Sequence, residues 1–309
     1  MTMKSFSLKS RDKIAIHVNR WALQNNIKPK GVVQIAHGMA EHIERYSDFA
    51  MELTKNGYIV YGNDHRGHGR TANSLESLGY FADNDGWNLV VEDMHGLTNM
   101  IKNENSQLPI FLFGHSMGSF LSRSYIQRYG NEINGVILSG TGGNTGILGD
   151  IGIFVVKNEI KKAGKKFRSK KMDRLSFGSF NKAFKPNRTD FDWLSRDNKE
   201  VDKYINDELC GKIFTTGFFY DMLTGIKNLN KKENIKSIPK ALPIYFISGD
   251  KDPVGKNTKG VLQAFNSYRK AGIKNIKYKF YKDARHEILN EINREEVYKD
   301  IIEWLNEHC

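Results

Sequence analysis

The chain has 309 residues, of which 39% are apolar and 27% are charged, so it can bury a substantial core and does not have the composition of a disordered protein. Lys and Arg number 47 against 35 Asp and Glu, and the net charge of +12 favours anionic partners without identifying one. The two cysteines, Cys210 and Cys309, provide no disulfide framework, which fits a reducing cytoplasm.

The sequence gives no sign of a membrane-spanning or exported segment. Residues 1–21 contain no long uncharged apolar core, and no later stretch approaches the roughly 18 apolar residues that a span requires. We therefore expect a cytoplasmic protein that reaches a membrane only peripherally.

Short apolar runs recur along the chain and predict the strands of a sheet. Residues 4–10 and 13–21 resemble an antiparallel edge hairpin with a charged turn. The later runs have the length of buried parallel strands, and helical patterns separate most of them. These runs cover residues 31–38, 58–65, 109–116, 135–140, 243–250 and 276–283, and the helical patterns cover 43–55, 86–104, 117–129, 256–271 and 290–307. Alternating strands and helices predict a doubly wound, mostly parallel α/β sheet.

The alternation stops between residues 143 and 238, which we interpret as a helical cap inserted into a core formed by residues 1–142 and 239–309. Within this segment, residues 157–188 carry 12 basic side chains and only two acidic ones. Residues 151–167 have the pattern of a basic amphipathic helix. This pattern fits either a helix packed on the core with a solvated lysine face or a surface that contacts anionic lipid.

The segment Gly114-His115-Ser116-Met117-Gly118 follows a predicted strand and precedes a predicted helix. A sharp turn of this kind needs small flanking residues and presents the central side chain at the edge of the sheet. The pattern also arises by chance around an inert serine, so it predicts a nucleophile only if a base and an acid accompany it.

Both partners follow in the chain order that a serine nucleophile of this fold class requires. Asp250 and Asp252 come directly after one predicted strand, and His286 lies in the loop after the next. Asp252 is the favoured acid because it lies further from the strand end, before Pro253, and has more freedom to reach an imidazole.

Hydrolysis also needs hydrogen-bond donors for a developing oxyanion. We expect these donors to be the backbone amides of Met39, in the loop after the first parallel strand, and Met117, at the start of the helix behind Ser116. The nearby His65 and His68 lack further ligands at metal-binding spacing. We expect neither a metal nor a cofactor.

Five motifs in this order resemble the monoglyceride lipase and bacterial lysophospholipase group of α/β-hydrolases, the serine aminopeptidase S33 or Hydrolase_4 family. The motifs are HGMAEHIERY, DHRGHGRT, GHSMG, GDKDPVG and RHEILNE. The resemblance covers nearly the whole chain and implies an α/β-hydrolase fold with an inserted helical cap.

The resemblance also implies roles for single residues. Ser116 would be the nucleophile, His286 the general base and Asp252 its orienting acid, with the Met39 and Met117 amides as oxyanion donors. Glu41 and Arg45 would brace the oxyanion loop and line the polar end of the pocket. Leu289 stands where animal monoglyceride lipases have a second histidine near the glycerol site.

Three functions remain open from the sequence. The first is a serine esterase that acts on monoacylglycerol or lysophospholipid through an acyl-enzyme and holds the acyl chain among cap aromatics, with Phe154, Phe218 and Phe219 as pocket candidates. The basic cap would then touch anionic membrane.

The second function keeps the triad but acts on short-chain esters or on proline peptides with a free N-terminus. The third is a non-catalytic basic binding protein, although no nucleic-acid fold signature is present and we expect no nucleic-acid partner. The oligomeric state does not follow from the sequence.

Overall fold

The computed structural model describes residues 2–23 and 27–309. Within this part of the chain, eight strands form one sheet in the order β1-β2-β4-β3-β5-β6-β7-β8. The strands are β1 (Thr2–Lys9), β2 (Ala15–Ala22), β3 (Gly31–Ala36), β4 (Tyr58–Asn63), β5 (Ile110–His115), β6 (Gly135–Ser139), β7 (Ile244–Gly249) and β8 (Ile276–Tyr281). The predicted hairpin is confirmed, because β1 pairs antiparallel with β2.

From β4 to β8 all neighbouring strands run parallel. Strands β3 to β7 are apolar and buried along their full length, as expected for strands that helices cover on both faces. The helices are α1 (Ser47–Lys55), α2 (Gly86–Glu104), α3 (Met117–Tyr129), α4 (Gly146–Ala163), α5 (Lys170–Phe177), α6 (Asn198–Asn206), α7 (Thr216–Leu229), α8 (Lys232–Lys236), α9 (Lys259–Lys270) and α10 (Arg294–Glu307). The prediction of a doubly wound α/β fold is confirmed.

The strand order places the carboxyl ends of β3 and β5 beside each other. The chain leaves β3 to form β4 on one side and later returns to form β5 on the other side. A reversal of this kind opens a crevice at the carboxyl ends of the strands. The loops after β3, β5, β7 and β8 therefore converge at one edge of the sheet.

Helices α4 to α8 all lie between β6 and β7, in the segment interpreted from the sequence as a cap. The pattern over residues 151–167 predicts one helix, but α4 ends at Ala163 because Gly164 adopts a φ of 81°. Val156 is buried, whereas Phe167 lies beyond the helix end and is 48% exposed. Among the described residues, no helix combines the length and apolarity that crossing a membrane would require.

Candidate active site

Ser116 occupies a strained turn between β5 and α3. Its φ of 51° falls in the left-handed region, which costs a residue with a side chain on the order of 1–3 kcal/mol. A Cβ on Gly114 would lie 2.5 Å from the carbonyl oxygen of Gly118, and a Cβ on Gly118 would lie 2.0 Å from that of Ala36. Only glycine therefore allows α3 to approach β3 and β5 this closely. Ser116 lines an open cavity at this edge of the sheet.

His286 and Asp252 form a buried pair at the same cavity. His286 Nδ1 and Asp252 Oδ1 lie 2.9 Å apart, with both side chains almost fully buried. Asp252 also accepts hydrogen bonds from the Val254 amide and the Ser248 hydroxyl. A carboxylate at Nδ1 favours the tautomer with its proton on that nitrogen, which leaves Nε2 free to accept one.

The structure distinguishes the two candidate acids by their contacts. Asp252 contacts His286, whereas Asp250 bonds through its backbone amide to the Tyr281 carbonyl and lies beside Lys251. The Oδ1 atom of Asp250 has no hydrogen-bond partner in the described part of the chain. The geometry thus favours Asp252 as the partner of the imidazole.

Burial and neighbouring charge act in opposite directions on His286. Burial disfavours the imidazolium, but the charge of Asp252 and its hydrogen bond outweigh burial, so the pKa of His286 is raised above 6.5. The adjacent His115 ring, 4.7 Å away between centroids, is buried without a carboxylate partner, and burial lowers its pKa to about 3. Of these two neighbouring rings, His286 is the one suited to accept a proton near neutral pH.

The His37 side chain fixes the loop after β3 by bonding to its backbone and to the loop after β4. His37 Nε2 accepts the His65 amide at 2.9 Å, so Nδ1 carries the proton and donates to the Gly38 carbonyl at 2.7 Å. Burial lowers the pKa of His37 well below 6.5, which keeps the ring neutral. The Met39 residue that follows lines the cavity beside Ser116. Its amide is thus carried by a loop with a fixed conformation.

Glu41 and Arg45 brace this loop through a buried network. Glu41 Oε1 accepts the Gly38 amide and the Tyr46 hydroxyl, and Oε2 accepts Arg45. Arg45 also binds Glu287 through two hydrogen bonds of 2.8 and 2.7 Å. Burial acts to raise the pKa of Glu287, but Arg45 lowers it to about 2. For Glu41, burial outweighs Arg45 and raises the pKa. The network links the loop after β3 to the residue after His286.

Ser116, His286, Met39 and Glu41 all line one open cavity of about 600 Å³. Most of the cavity's remaining lining comes from the segment between β6 and β7. Its apolar part consists of Phe177, Phe191, Trp193, Leu194, Tyr204 and Ile213. These residues were missed as pocket candidates from the sequence, although several lie in SFNKAFKPNRTDFDWLSRD, a segment whose aromatic content could have indicated them.

The structure corrects three of the predicted pocket residues. Phe154 points away from the body of the protein and is 66% exposed, because it lies opposite the buried Val156 on α4. Phe218 and Phe219 are fully buried on α7, where they pack with aromatic core residues such as Phe81. None of the three lines the Ser116 cavity.

Other predicted residues lie close to the site without facing the main cavity. Leu289 and Arg45 line a small adjoining cleft that shares Glu41, His115 and Glu287 with the cavity. The Met117 side chain is 2% exposed and belongs to the core. Its backbone amide belongs to the first residue of α3.

The fold and the convergence of these loops define the protein as an α/β-hydrolase of the lipase and esterase type. Residues 27–293 match the Hydrolase_4 family, described as serine aminopeptidase, S33. The chain belongs to this family, which confirms the resemblance drawn from its motifs.

Relatives match over most of their length. The chain is 27% identical to the monoacylglycerol lipase of Mycolicibacterium smegmatis, covering 91% of this chain and 89% of the relative. It is 24% identical to the monoglyceride lipase of Rattus norvegicus, covering 86% and 82%.

Solved structures share the fold over their full length. A thermostable carboxyl esterase from Bacillus coagulans, in complex with glycerol, has a TM-score of 0.91 at 29% identity and covers 100% of this chain and 99% of its own. A monoglyceride lipase from Saccharomyces cerevisiae has a TM-score of 0.78 at 19% identity, with coverage of 99% and 95%.

Proposed function

We propose that this protein is a serine carboxylic-ester hydrolase that acts on single-chain lipid esters through an acyl-enzyme. The observation that carries the proposal is the buried His286–Asp252 pair on the wall of the cavity into which the strained Ser116 turn opens. This combination supplies a base with a fixed tautomer and a partly exposed serine hydroxyl that line the same cavity.

In the proposed mechanism, Ser116 Oγ attacks the ester carbonyl carbon while His286 Nε2 accepts the hydroxyl proton. The Met39 and Met117 amides stabilise the negative charge on the carbonyl oxygen. His286 then gives its proton to the leaving alcohol, and the acyl group stays on Ser116. Water, deprotonated by His286, attacks this acyl-enzyme and releases the fatty acid.

The size and lining of the cavity support a lipid acyl chain as the bound group. A volume of about 600 Å³ bounded by aromatic side chains can remove many methylene groups from water, each worth about 0.8 kcal/mol. The names of the M. smegmatis and rat relatives, which are monoacylglycerol and monoglyceride lipases, support the same substrate class.

Charges in the same cavity bear on the head group. Four cationic side chains line it, and none of them has an ion-pair partner among the described residues: Arg174, Lys182, Lys185 and Lys212. Unpaired cations can bind a phosphate. This observation favours a lysophospholipid over the uncharged monoacylglycerol as the better substrate.

The cap also supports a peripheral membrane contact. Ile147, Leu148, Ile151 and Phe154 are exposed on α4, and the basic segment of residues 157–188 follows directly. An apolar helix face beside cations suits the surface of an anionic membrane. We therefore propose a cytoplasmic enzyme that binds such a membrane transiently while it takes up substrate.

The experiment that tests the proposal compares the wild type with Ser116→Ala on monoacylglycerol, lysophospholipid and short aryl esters, with the acyl chain matched between the first two. We expect the wild type to hydrolyse the lipids and Ser116→Ala to lose activity by several orders of magnitude. Equal rates for the two proteins would refute the serine mechanism.

A short-chain esterase is the second candidate, favoured by the similarity to the B. coagulans carboxyl esterase. A series of p-nitrophenyl esters separates the two functions. The lipid proposal requires kcat/KM to rise from acetate towards longer acyl chains, and a steady fall would assign the protein to short-chain esters.

An aminopeptidase remains the third candidate because of the family description. Asp173 and Asp190 also line the cavity and are the carboxylates that could receive a free amine. Hydrolysis of a proline arylamide at a rate comparable to ester hydrolysis would favour it.

A further inference from the structure

A second cluster of reactive side chains lies where the oxyanion loop meets the cap. His42 follows this loop in the chain, whereas Asp207 and Cys210 belong to the segment between α6 and α7. One ligand atom from each of the three residues lies within 4.8 Å of the other two. Within residues 2–23 and 27–309, this is the group of His, Cys and acidic side chains with metal-binding spacing.

We propose that His42, Asp207 and Cys210 bind a borderline-soft divalent cation of the Zn²⁺ type, which ties the cap to the oxyanion loop. Imidazole nitrogen, carboxylate oxygen and thiolate sulfur are the three donor types that Zn²⁺ prefers. Three protein donors leave a fourth coordination position for water. On binding, the cation takes up the Cys210 thiolate and the thiol proton passes to solvent.

The present distances suit such an ion with small adjustments. His42 Nε2 and Asp207 Oδ2 are 2.7 Å apart and share a hydrogen bond. Around a tetrahedral zinc ion with bonds of about 2.0–2.3 Å, neighbouring donors are about 3.3–3.7 Å apart. The nitrogen and oxygen therefore need to separate by about 0.6 Å, with the sulfur moving inward by at most about 1 Å.

The backbone already presents the two cap donors on the same side. The Cys210 amide donates to the Asp207 carbonyl at 3.0 Å, which closes a turn and brings residues three apart together. The other carboxylate oxygen of Asp207 accepts the Leu209 amide at 2.8 Å. This bond orients the carboxylate and leaves Oδ2 directed at His42, as an outer hydrogen bond does for a metal ligand.

Burial and charge favour a cation at this position. His42 is 6% and Cys210 is 4% exposed, so these two donors are shielded from competing water. The negative charges of Asp207, Glu41 and Glu287 act on the Cys210 thiol against the positive charge of Arg45. A cleft of about 230 Å³ lined by Asp207 and Cys210 provides a path for the ion from solvent.

Occupancy would act on the neighbouring loop. The Gly211 amide donates to the Ala40 carbonyl at 3.0 Å, and Ala40 holds a strained φ of 56°. Cys210 directly precedes Gly211, and His42 lies two residues after Ala40. A cation that joins Asp207 and Cys210 to His42 would therefore strengthen the contact that the Gly211–Ala40 hydrogen bond makes. The cap and the loop that carries the Met39 amide would then separate less readily.

Cobalt provides the direct test, because Co²⁺ occupies zinc sites and shows a thiolate charge-transfer band in the near ultraviolet. The titration uses the full chain carrying Cys309→Ser, since the exposed Cys309 next to His308 could bind cobalt by itself. We expect one equivalent of CoCl₂ to produce the band and ZnCl₂ to abolish it. Adding Cys210→Ser should remove it. No band in the first protein, or an equal band after Cys210→Ser, would overturn the proposal.

Thermal unfolding gives an independent readout that does not use catalytic activity. ZnCl₂ should raise the Tm of the Cys309→Ser protein by several degrees and EDTA should reverse the shift, since an ion that binds only the folded state stabilises it. Asp207→Asn keeps the shape of the side chain but weakens the donor, so most of the shift should disappear. A Tm unaffected by ZnCl₂, or the same shift in Asp207→Asn, would contradict the proposed site.

Discussion

The imidazole of His286 experiences two large and opposite effects, burial and the charge of Asp252. Because Asp252 prevails, the pKa of His286 is raised above 6.5. A general base must be neutral, so activity should be absent at low pH and rise as the pH passes through this raised value. The raised pKa contributes stability at low pH, and this contribution is lost at higher pH, so activity and this part of stability change in opposite directions.

Replacing Asp252 by Asn should lower kcat about 10⁴-fold, because the amide no longer favours the productive tautomer. Without this carboxylate, burial of His286 meets less opposing charge, so the acid limb of kcat/KM should move to lower pH. Rates measured across pH on a soluble ester test both effects. Asp250→Asn is the matched control, since Asp250 does not contact His286. Equal losses in the two variants would refute the assignment of Asp252.

The Arg45 guanidinium compensates two buried carboxylates, Glu41 and Glu287. Removing one partner from a buried network leaves uncompensated charge, which costs about 3–5 kcal/mol. In Arg45→Met, burial should raise both carboxyl pKa values above their unfolded values, so the destabilisation should be largest at pH 7 and shrink towards pH 5.

Urea unfolding at the two pH values measures this change in the free energy of unfolding. Arg128→Met serves as control because Arg128 pairs with Glu92 in an exposed ion pair, worth at most about 1 kcal/mol. A loss for Arg45→Met that matched the control, or that did not depend on pH, would contradict the proposed compensation.

Among the elements, part of the segment between β6 and β7 is hydrogen-bonded directly to the loop that carries His286. The His286 amide donates to the Trp193 carbonyl and the Glu287 amide to the Leu194 carbonyl. Arg196 adds a 2.8 Å ion pair with Glu291, which is fully buried. Residues 193–196 therefore form one unit with the histidine loop, whereas α4 exposes much of its apolar face to solvent.

Arg196→Met should loosen this unit and lower kcat with little change in KM, because the bound substrate would meet a less well positioned imidazole. Hydrogen exchange of the amides in residues 285–291 should become faster. The control is Arg188→Met, which removes an exposed ion pair with Asp202 in the same cap. Unchanged exchange in Arg196→Met would show that the ion pair does not hold the loop.

Periodicity predicted the elements well where burial is uniform. The observed bounds of strands β3 to β7 and of helices α2 and α3 agree with the predicted bounds to within a residue or two. These strands have no exposed face, so their apolar runs are uninterrupted. In the segment between β6 and β7, the apolar pattern of α4 did not indicate which face of the helix packs against the rest of the protein. Phe154 and Val156 lie on the same helix, but Val156 is buried and Phe154 is exposed.

Over the whole molecule, basic charge and exposed apolar side chains coincide on the segment between β6 and β7. The net charge is +12, and Ile147, Leu148 and Ile151 are exposed near the basic residues that follow. Each cation close to an anionic surface contributes about 1 kcal/mol of attraction, which salt screens.

We expect the protein to co-sediment with vesicles that contain anionic lipid and to be released by high salt. The double variant Leu148→Glu and Ile151→Glu should bind at least tenfold less, since it removes apolar contact and adds repulsion. Hydrolysis of a soluble ester checks that the variant is folded. Equal vesicle binding by both proteins would exclude α4 as the contact surface.

The α/β class, the order of the strands along the chain and the candidate triad could be predicted from the sequence, because buried strands, tight turns and the Ser-Asp-His order leave local patterns. Three features required the three-dimensional structure: which acid contacts His286, which aromatic side chains line the cavity, and how the segment between β6 and β7 contacts the rest of the chain. These features depend on contacts between residues far apart in the chain, such as Asp252 with His286, Arg45 with Glu287, and His42 with Asp207. Local periodicity carries no information about such contacts, which depend on how the loops at the sheet edge and the segment between β6 and β7 pack together.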